Sequence, residues 1–367
     1  MKNSELFFIV NITISFQAKA NPPFVPIGST QKAVPKPRQF HIIIFVSIGV
    51  PLAAAQSIGI CYGSIGSNLP SAQETVDLLK SNGIGRVRIY SPKPEIFEAF
   101  KGSNIELIVD AGEALQAIGS DPNAANAWVN TNIKPYAQDV KFKYIIVGNE
   151  VHPGDDVAQY VFPGMQNMHD ALSSANLLDQ IKVSTAIELS LLGQTYPPSA
   201  GAFNQNAIGY VQKIISFLVP NGSPFLANIY PYYAYSGDQQ NVPLEYALFT
   251  QKDNNPVGYQ NLFDAMLDAT YAALEKIGGN DLTIVVAESG WPSSGGVGAS
   301  IDNAGLYYQN LINHINVNGG TPMKPNQPIE TYLFALFDED QKPGPEIEKH
   351  FGLYNPDKSP KYSLSFK

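Results

Sequence analysis

Two glutamates stand where a carboxylate is costly to place. Glu150 closes the run Val147-Gly148-Asn149-Glu150, and Glu288 sits inside Val285-Val286-Ala287-Glu288-Ser289-Gly290-Trp291-Pro292, each directly behind apolar residues. A carboxyl group in such a place is expensive to keep charged unless it is paired or used. One of them alone reads as a structural carboxylate capping a neighbouring backbone. Two at the same kind of position point to paired acid, base or nucleophile chemistry. A further group of charges, Phe337-Asp338-Glu339-Asp340-Gln341-Lys342 with Glu348 beyond it, is less specific. Asp340 and Glu346 read as a solvated loop, whereas Glu339 stands out because it ends another apolar run. The five histidines never fall at a metal-ligand spacing such as HExxH, and the lone cysteine, Cys61, allows neither an intramolecular disulfide nor a thiol ligand set. No metal and no cofactor are expected, and Cys61 reads as a small buried hydrophobe.

The elements that must position these side chains are legible as a repeat. Eight short apolar runs alternate with helical patterns: 58–62, 86–90, 105–111, 144–151, 182–188, 225–233, 283–291 and 331–339. Several are almost continuously hydrophobic, as parallel strands covered on both faces are. Between them, Ser71-Ala72-Gln73-Glu74 is a capping box and Gly83 a stop signal. Asp121-Pro122 places a capping acid before a first-turn proline, and 259–278 is a long amphipathic pattern with Leu262, Met266, Ala269 and Leu274 on one stripe. The reading is an α/β chain with a single (β/α)8 TIM-type barrel over residues 56–367. Two half-sized α/β domains are the alternative, but no Gly/Ser-rich or Pro-rich linker separates them. The chain ends just after the last unit, so neither an appended carbohydrate module nor a C-terminal anchor signal is expected. In such a barrel the carboxyl ends of the strands carry the chemistry, and Glu150 and Glu288 end runs four and seven.

Composition narrows the partners. With 367 residues, 44% hydrophobic and 15% charged, the chain can bury a large core. A formal net charge of -9 gives no electrostatic footprint for nucleic acid or an anionic membrane, so a neutral partner fits better. Nineteen Tyr, nineteen Phe and two Trp supply flat apolar faces, most of them ordinary core aromatics. At the N-terminus, Lys32, Lys36 and Arg38 precede an apolar stretch, about 40–52, and Ala53-Ala54-Ala55 follows it. That is a secretory signal pattern, too short to span a bilayer, with cleavage expected after Ala55 and residues 1–55 as the leader. No physical account of residues 1–31 follows from their composition. Asn221-Gly222-Ser223 is the sequon of the mature part, and Asn11-Ile12-Thr13 would leave with the leader.

The segment around Glu288, together with Val147-Gly148-Asn149-Glu150, resembles glycoside hydrolase family 17, the plant β-1,3-glucanases. The likeness runs over essentially all of 58–366, including Ile58-Gly59-Ile60-Cys61-Tyr62-Gly63, Asn228-Ile229-Tyr230-Pro231-Tyr232 and Phe351-Gly352-Leu353-Tyr354. It implies retaining endo-hydrolysis of β-1,3-glucan, with Glu150 as acid/base and Glu288 as nucleophile, their carboxyl groups about 5 to 5.5 Å apart. The charge of Glu288 would raise the pKa of Glu150. Asn149 would bond the sugar 2-hydroxyl. Glu339, Lys342 and Glu348 would belong to the cleft, the cation keeping Glu288 ionised, while Asp338 departs from an Asn common at its place. Tyr230 would hold the nucleophile, and Tyr90, Tyr232, Tyr233 and Trp291 would stack on sugar faces, unless Tyr232 and Tyr233 only pack loops. His152 needs no part in retaining hydrolysis and reads as structural or rim. The implied partner is β-1,3-glucan of fungal wall or callose, met by a secreted monomer in the cell wall space rather than the vacuole. Mixed-linkage β-1,3;1,4-glucan hydrolysis and a catalytically silent glucan-binding protein are the competing functions.

Overall fold

A computed structural model describes residues 57–317 and 319–366. The expected leader 1–55, its cleavage site and the Asn11 sequon lie outside the described residues. Eight parallel strands form a closed barrel: β1 (Ile58–Tyr62), β2 (Arg86–Ile89), β3 (Glu106–Asp110), β4 (Lys141–Asn149), β5 (Lys182–Glu188), β6 (Phe225–Asn228), β7 (Ile284–Ser289) and β8 (Thr331–Leu333). Each lies beside its neighbours in sequence, and β8 pairs with β1, Thr331 opposite Ile58 and Leu333 opposite Ile60. That last pairing closes one barrel in place of two half-sized domains. Every residue of β1, β6 and β7 is buried. Inward side chains fill the barrel and outward ones meet the helices, which is why these strands are apolar along their whole length.

The helices are α1 (Ala72–Ser81), α2 (Pro94–Phe100), α3 (Leu115–Ser120), α4 (Pro122–Asn132), α5 (Val161–Ser174), α6 (Gln205–Asn221), α7 (Pro231–Gly237), α8 (Leu244–Ala247), α9 (Leu262–Lys276) and α10 (Ile301–Asn316). The expected caps form: the Ser71 side chain accepts from the Glu74 N–H while Glu74 reaches back to Ser71, and Asp121 caps α4 ahead of Pro122. Helix α9 departs from its single apolar stripe, for 11 of its 15 residues are buried. A hairpin of Leu192–Gln194 with Ala202–Phe203 covers its second side, Gly201 lying against the Ala269 backbone.

Two strands stop far short of their apolar runs. β6 stops at Asn228 because the chain turns into α7 at Pro231, whose missing N–H is no loss in the first turn of a helix. β8 stops at Leu333 because the chain then pairs with another segment. Ala335 N–H donates to Phe351 O at 3.0 Å, and Leu353 N–H donates to Ala335 O at 2.8 Å. Tyr230 and Glu339 therefore lie beyond the strands whose ends they were expected to occupy.

Candidate active site

At the carboxyl end of β4 the pairing slips: Ile146 lies opposite Ser184, but Asn149 lies opposite Ala186. Gly148 sits inside this irregularity with φ 88, a conformation that a residue with a Cβ adopts only under strain. Glu150 follows at φ 54, its N–H bonded to Ala186 O at 2.8 Å, so its side chain is aimed into the cleft. Glu288 comes one residue before the end of β7 and is buried. The bulge on one strand and the register of the other bring the two carboxyl groups to the same cleft.

Their surroundings differ. Glu288 takes three donors: Tyr90 Oη to Oε1 at 2.9 Å, Tyr230 Oη to Oε2 at 2.6 Å, and Arg88 Nη1 to Oε1 at 2.9 Å. Arg88 is fully buried and also donates to Ala287 O at 3.1 Å, Asn149 Oδ1 at 2.7 Å and Asn228 Oδ1 at 3.3 Å, with Asp110 Oδ2 at 3.8 Å. A buried cation of this kind is held only by such partners, and removing one costs about 3–5 kcal/mol. Glu150 receives one side-chain donor, Asn228 Nδ2 at 2.7 Å. The cleft walls displace water from around its carboxyl group, and this burial pushes it up to about 7, with the charge of Glu288 adding to the rise. Like-charge repulsion was expected to act here, but burial is the larger cause.

Further along the cleft, Lys342 Nζ lies 2.8 Å from Glu348 Oε2 and 4.4 Å above the Phe334 ring, and Tyr233 donates its hydroxyl to Glu348. Glu339 is buried and accepts from Ile65 N–H at 2.8 Å. It packs so closely on Gly63 that any Cβ there would collide with its carboxyl group. Lys342 is thus paired with Glu348, and the cation that touches Glu288 is Arg88.

Two expected sugar platforms are not in the cleft. Trp291 is fully buried: its Nε1 donates to Gly298 O at 3.0 Å, and its ring lies between Tyr235, stacked at 5.7 Å, and Tyr232, edge-on at 5.1 Å. Tyr232 is 1% exposed, because α7 turns that side of the helix towards Trp291 and Phe351. Tyr233, the next residue, points the other way and is 42% exposed. Tyr90 lines the cleft, with Arg88 stacked on its ring at 4.8 Å. His152 stands at the rim, 2.6 Å from Glu188 Oε1. Cys61 is buried and its thiol is pushed up to about 12, as an inert core residue would be. Asp338 is bonded to Lys361 Nζ at 2.8 Å and to Gly352 N–H at 2.8 Å, so the Asp at this place has a cation to pair with. Among the described residues no group of three or more His, Cys, Asp or Glu could hold a metal ion.

Residues 58–366 match the model of glycosyl hydrolases family 17. The chain belongs to that family. It is 54% identical to a glucan endo-1,3-beta-glucosidase of Vitis vinifera, over 91% of this chain and 99% of the relative. It is 52% identical to an acidic glucan endo-1,3-beta-glucosidase isoform of Nicotiana tabacum, over 86% and 93%. Among solved structures, a beta-1,3-glucanase and allergen of Cryptomeria japonica pollen superposes with a TM-score of 0.82 at 46% identity, covering 84% of this chain and 99% of that one.

In this family 17 chain, the residues that reading the sequence missed are Arg88, Asn228, Asp110 and Glu188. Asn228 carried a usable signal, a polar residue straight after Phe225-Leu226-Ala227, the pattern that marked the glutamates. Arg88 carried a weaker one: Arg86 and Arg88, two residues apart, share one face of the strand, and nothing in the sequence says that Arg88 is the one the site uses. Asp110 sits behind Arg88, and its burial pushes it up to about 6.

Proposed function

We propose that this chain is a retaining endo-β-1,3-glucanase in which Glu150 is the acid/base and Glu288 the nucleophile. The observation that carries the reading is the unequal treatment of two glutamates in one cleft. Glu288 is fixed by Arg88, Tyr90 and Tyr230 as an oriented carboxylate, while Glu150 is pushed up to about 7 and holds its proton into the neutral range. In the first half of the reaction a Glu288 oxygen attacks the anomeric carbon, the glycosidic bond breaks, and the Glu150 proton goes to the leaving oxygen. In the second half water gives a proton to Glu150, its oxygen attacks the same carbon, and the ester bond returns its electron pair to Glu288. Two inversions give net retention.

The cleft supports endo-action on a polymer. Its volume is about 1850 Å³, above the roughly 300–1,000 Å³ usual for small-molecule sites, and its lining includes Ser64, Lys93, Tyr196 and Asn254 besides the glutamates. Asn149 turns its carbonyl oxygen to Arg88 and Asn228, which leaves its amide nitrogen to meet the sugar 2-hydroxyl. Tyr90, Tyr230, Tyr233, Glu339, Lys342 and Glu348 line the walls. The glucan is of fungal wall or callose type, taken by a monomer. Release to the cell exterior and wall follows from the leader pattern of residues 1–55, with the mature chain from residue 56. No helix among the described residues is long and apolar enough to cross a membrane.

The test is hydrolysis of laminarin beside a mixed-linkage β-1,3;1,4-glucan, with early products read by NMR for anomeric configuration. Rapid release of β-configured oligosaccharides from laminarin is expected. Faster cleavage of the mixed glucan would move the chain to the other specificity, inverted product would remove the double displacement, and binding without turnover would leave a silent glucan-binding protein.

A further inference from the structure

The side chain of Asn228 touches Arg88, Asn149 and Glu150 at once. It is buried at the end of β6, opposite Glu188 of β5 on one side and Glu288 of β7 on the other. Its Oδ1 accepts from Arg88 Nη1 at 3.3 Å, the nitrogen that also holds Glu288. Its Nδ2 donates to Glu150 Oε1 at 2.7 Å and to Asn149 Oδ1 at 3.1 Å. A guanidinium has donors only and stays protonated, so whatever faces Arg88 must be an acceptor. The amide of Asn228 is therefore not free to flip. Its carbonyl is committed to Arg88 and its NH2 to Glu150, where it can only donate.

We propose that Asn228 is a positioning residue that links the two glutamates: held by Arg88, it stabilises Glu150 as a carboxylate for the second half of the reaction. The inference rests on the catalytic pair proposed above. Glu150 needs a proton in the first half and must be free of it in the second. Burial and the charges of Glu288 and Glu188 favour the proton. Arg88 and the Asn228 donor oppose it. His152 is engaged with Glu188, and Tyr233, whose hydroxyl serves Glu348, faces Glu150 from α7. Once Glu288 has become an ester its charge is gone, while the Asn228 donor remains. The balance at Glu150 then shifts towards the carboxylate, which takes the proton from water. The donor is thus a constant bias that burial and the charge of Glu288 together override in the first half of the cycle.

The measurement is the pH profile of kcat/KM on laminarin for the wild type, Asn228→Ala and the equal-sized Asn228→Asp, with thermal melts to confirm folding. Losing the donor should move the basic limb up by about one pH unit, the scale of one hydrogen bond to a charged group. Asn228→Asp should move it at least as far, because an added carboxylate faces Glu150. On an aryl laminari-oligosaccharide with an activated leaving group, turnover reads the second half, and kcat should fall about tenfold. Lower activity with an unmoved limb in both variants would reduce Asn228 to a spacer and overturn the inference. Should Asn228→Ala fail to fold, Asn228→Asp decides alone. A Glu150→Gln enzyme that kept its activity would instead overturn the catalytic pair, leaving the two failures distinguishable.

Discussion

Glu150 is open to the cleft yet holds its proton to about 7, some way above the ordinary value of 4.5. That shift fixes two signs. A general acid works only while protonated, so kcat/KM should fall as pH rises through about 7, and Glu150→Gln should lose about 10²- to 10⁴-fold in kcat on laminarin, measured by reducing-sugar release. An activated aryl substrate, which needs no proton in its first step, should lose less. The second sign concerns stability. The folded chain binds this proton more tightly than the unfolded one, so its contribution is fully present below about 4.5 and lost as pH rises through about 7. Glu150→Gln should accordingly melt higher than the wild type at pH 8 and no higher at pH 4, by differential scanning calorimetry. Activity and stability pull in opposite directions at this residue.

At the scale of elements, the site depends on parts that never touch substrate. Trp291 ties the β7 end to α7 through Tyr232 and Tyr235, and to α10 through Tyr307. Trp291→Ala should therefore destabilise the fold by about 3–5 kcal/mol in urea titration, well beyond any direct effect on glucan binding. The capping box of α1 is a milder case. Ser71→Ala should cost about 1 kcal/mol with kcat and KM unchanged, since α1 lies on the barrel wall. How far such elements could be read depended on whether their cause was local. The α1 and α4 caps are made by residues within one turn, and both stood in the sequence. The ends of β6 and β8 are set by Pro231 and by pairing with Phe351 and Leu353, and only the first of these is a neighbour. The second has no local signature, which is why the apolar run to Glu339 looked like one strand.

Over the whole molecule, the 367-residue chain is acidic, with a net charge of -9, and its polysaccharide is neutral. Electrostatic steering has nothing to act on, so kcat/KM on laminarin should change by less than about twofold between about 20 mM and about 500 mM NaCl. A steep salt dependence would mean that a charged partner is part of the physiological substrate. The barrel itself was legible because its cause is periodic: each βα unit must bury the same two faces, and eight repeats of that pattern are visible without coordinates. Its inner contacts were not, since the residues that meet at the mouth come from strands as far apart as β2 and β7.

The sequence by itself determined the number and type of the units, the local caps and the two glutamates, because each is written in residues close together along the chain. Only the tertiary structure decided that Arg88 rather than Lys342 pairs with Glu288, that Asn228 bridges to Glu150, and that Trp291 and Tyr232 lie beneath the cleft instead of in it. Which way a side chain faces at a strand end depends on barrel closure and on the bulge at Gly148, and those depend on every strand at once.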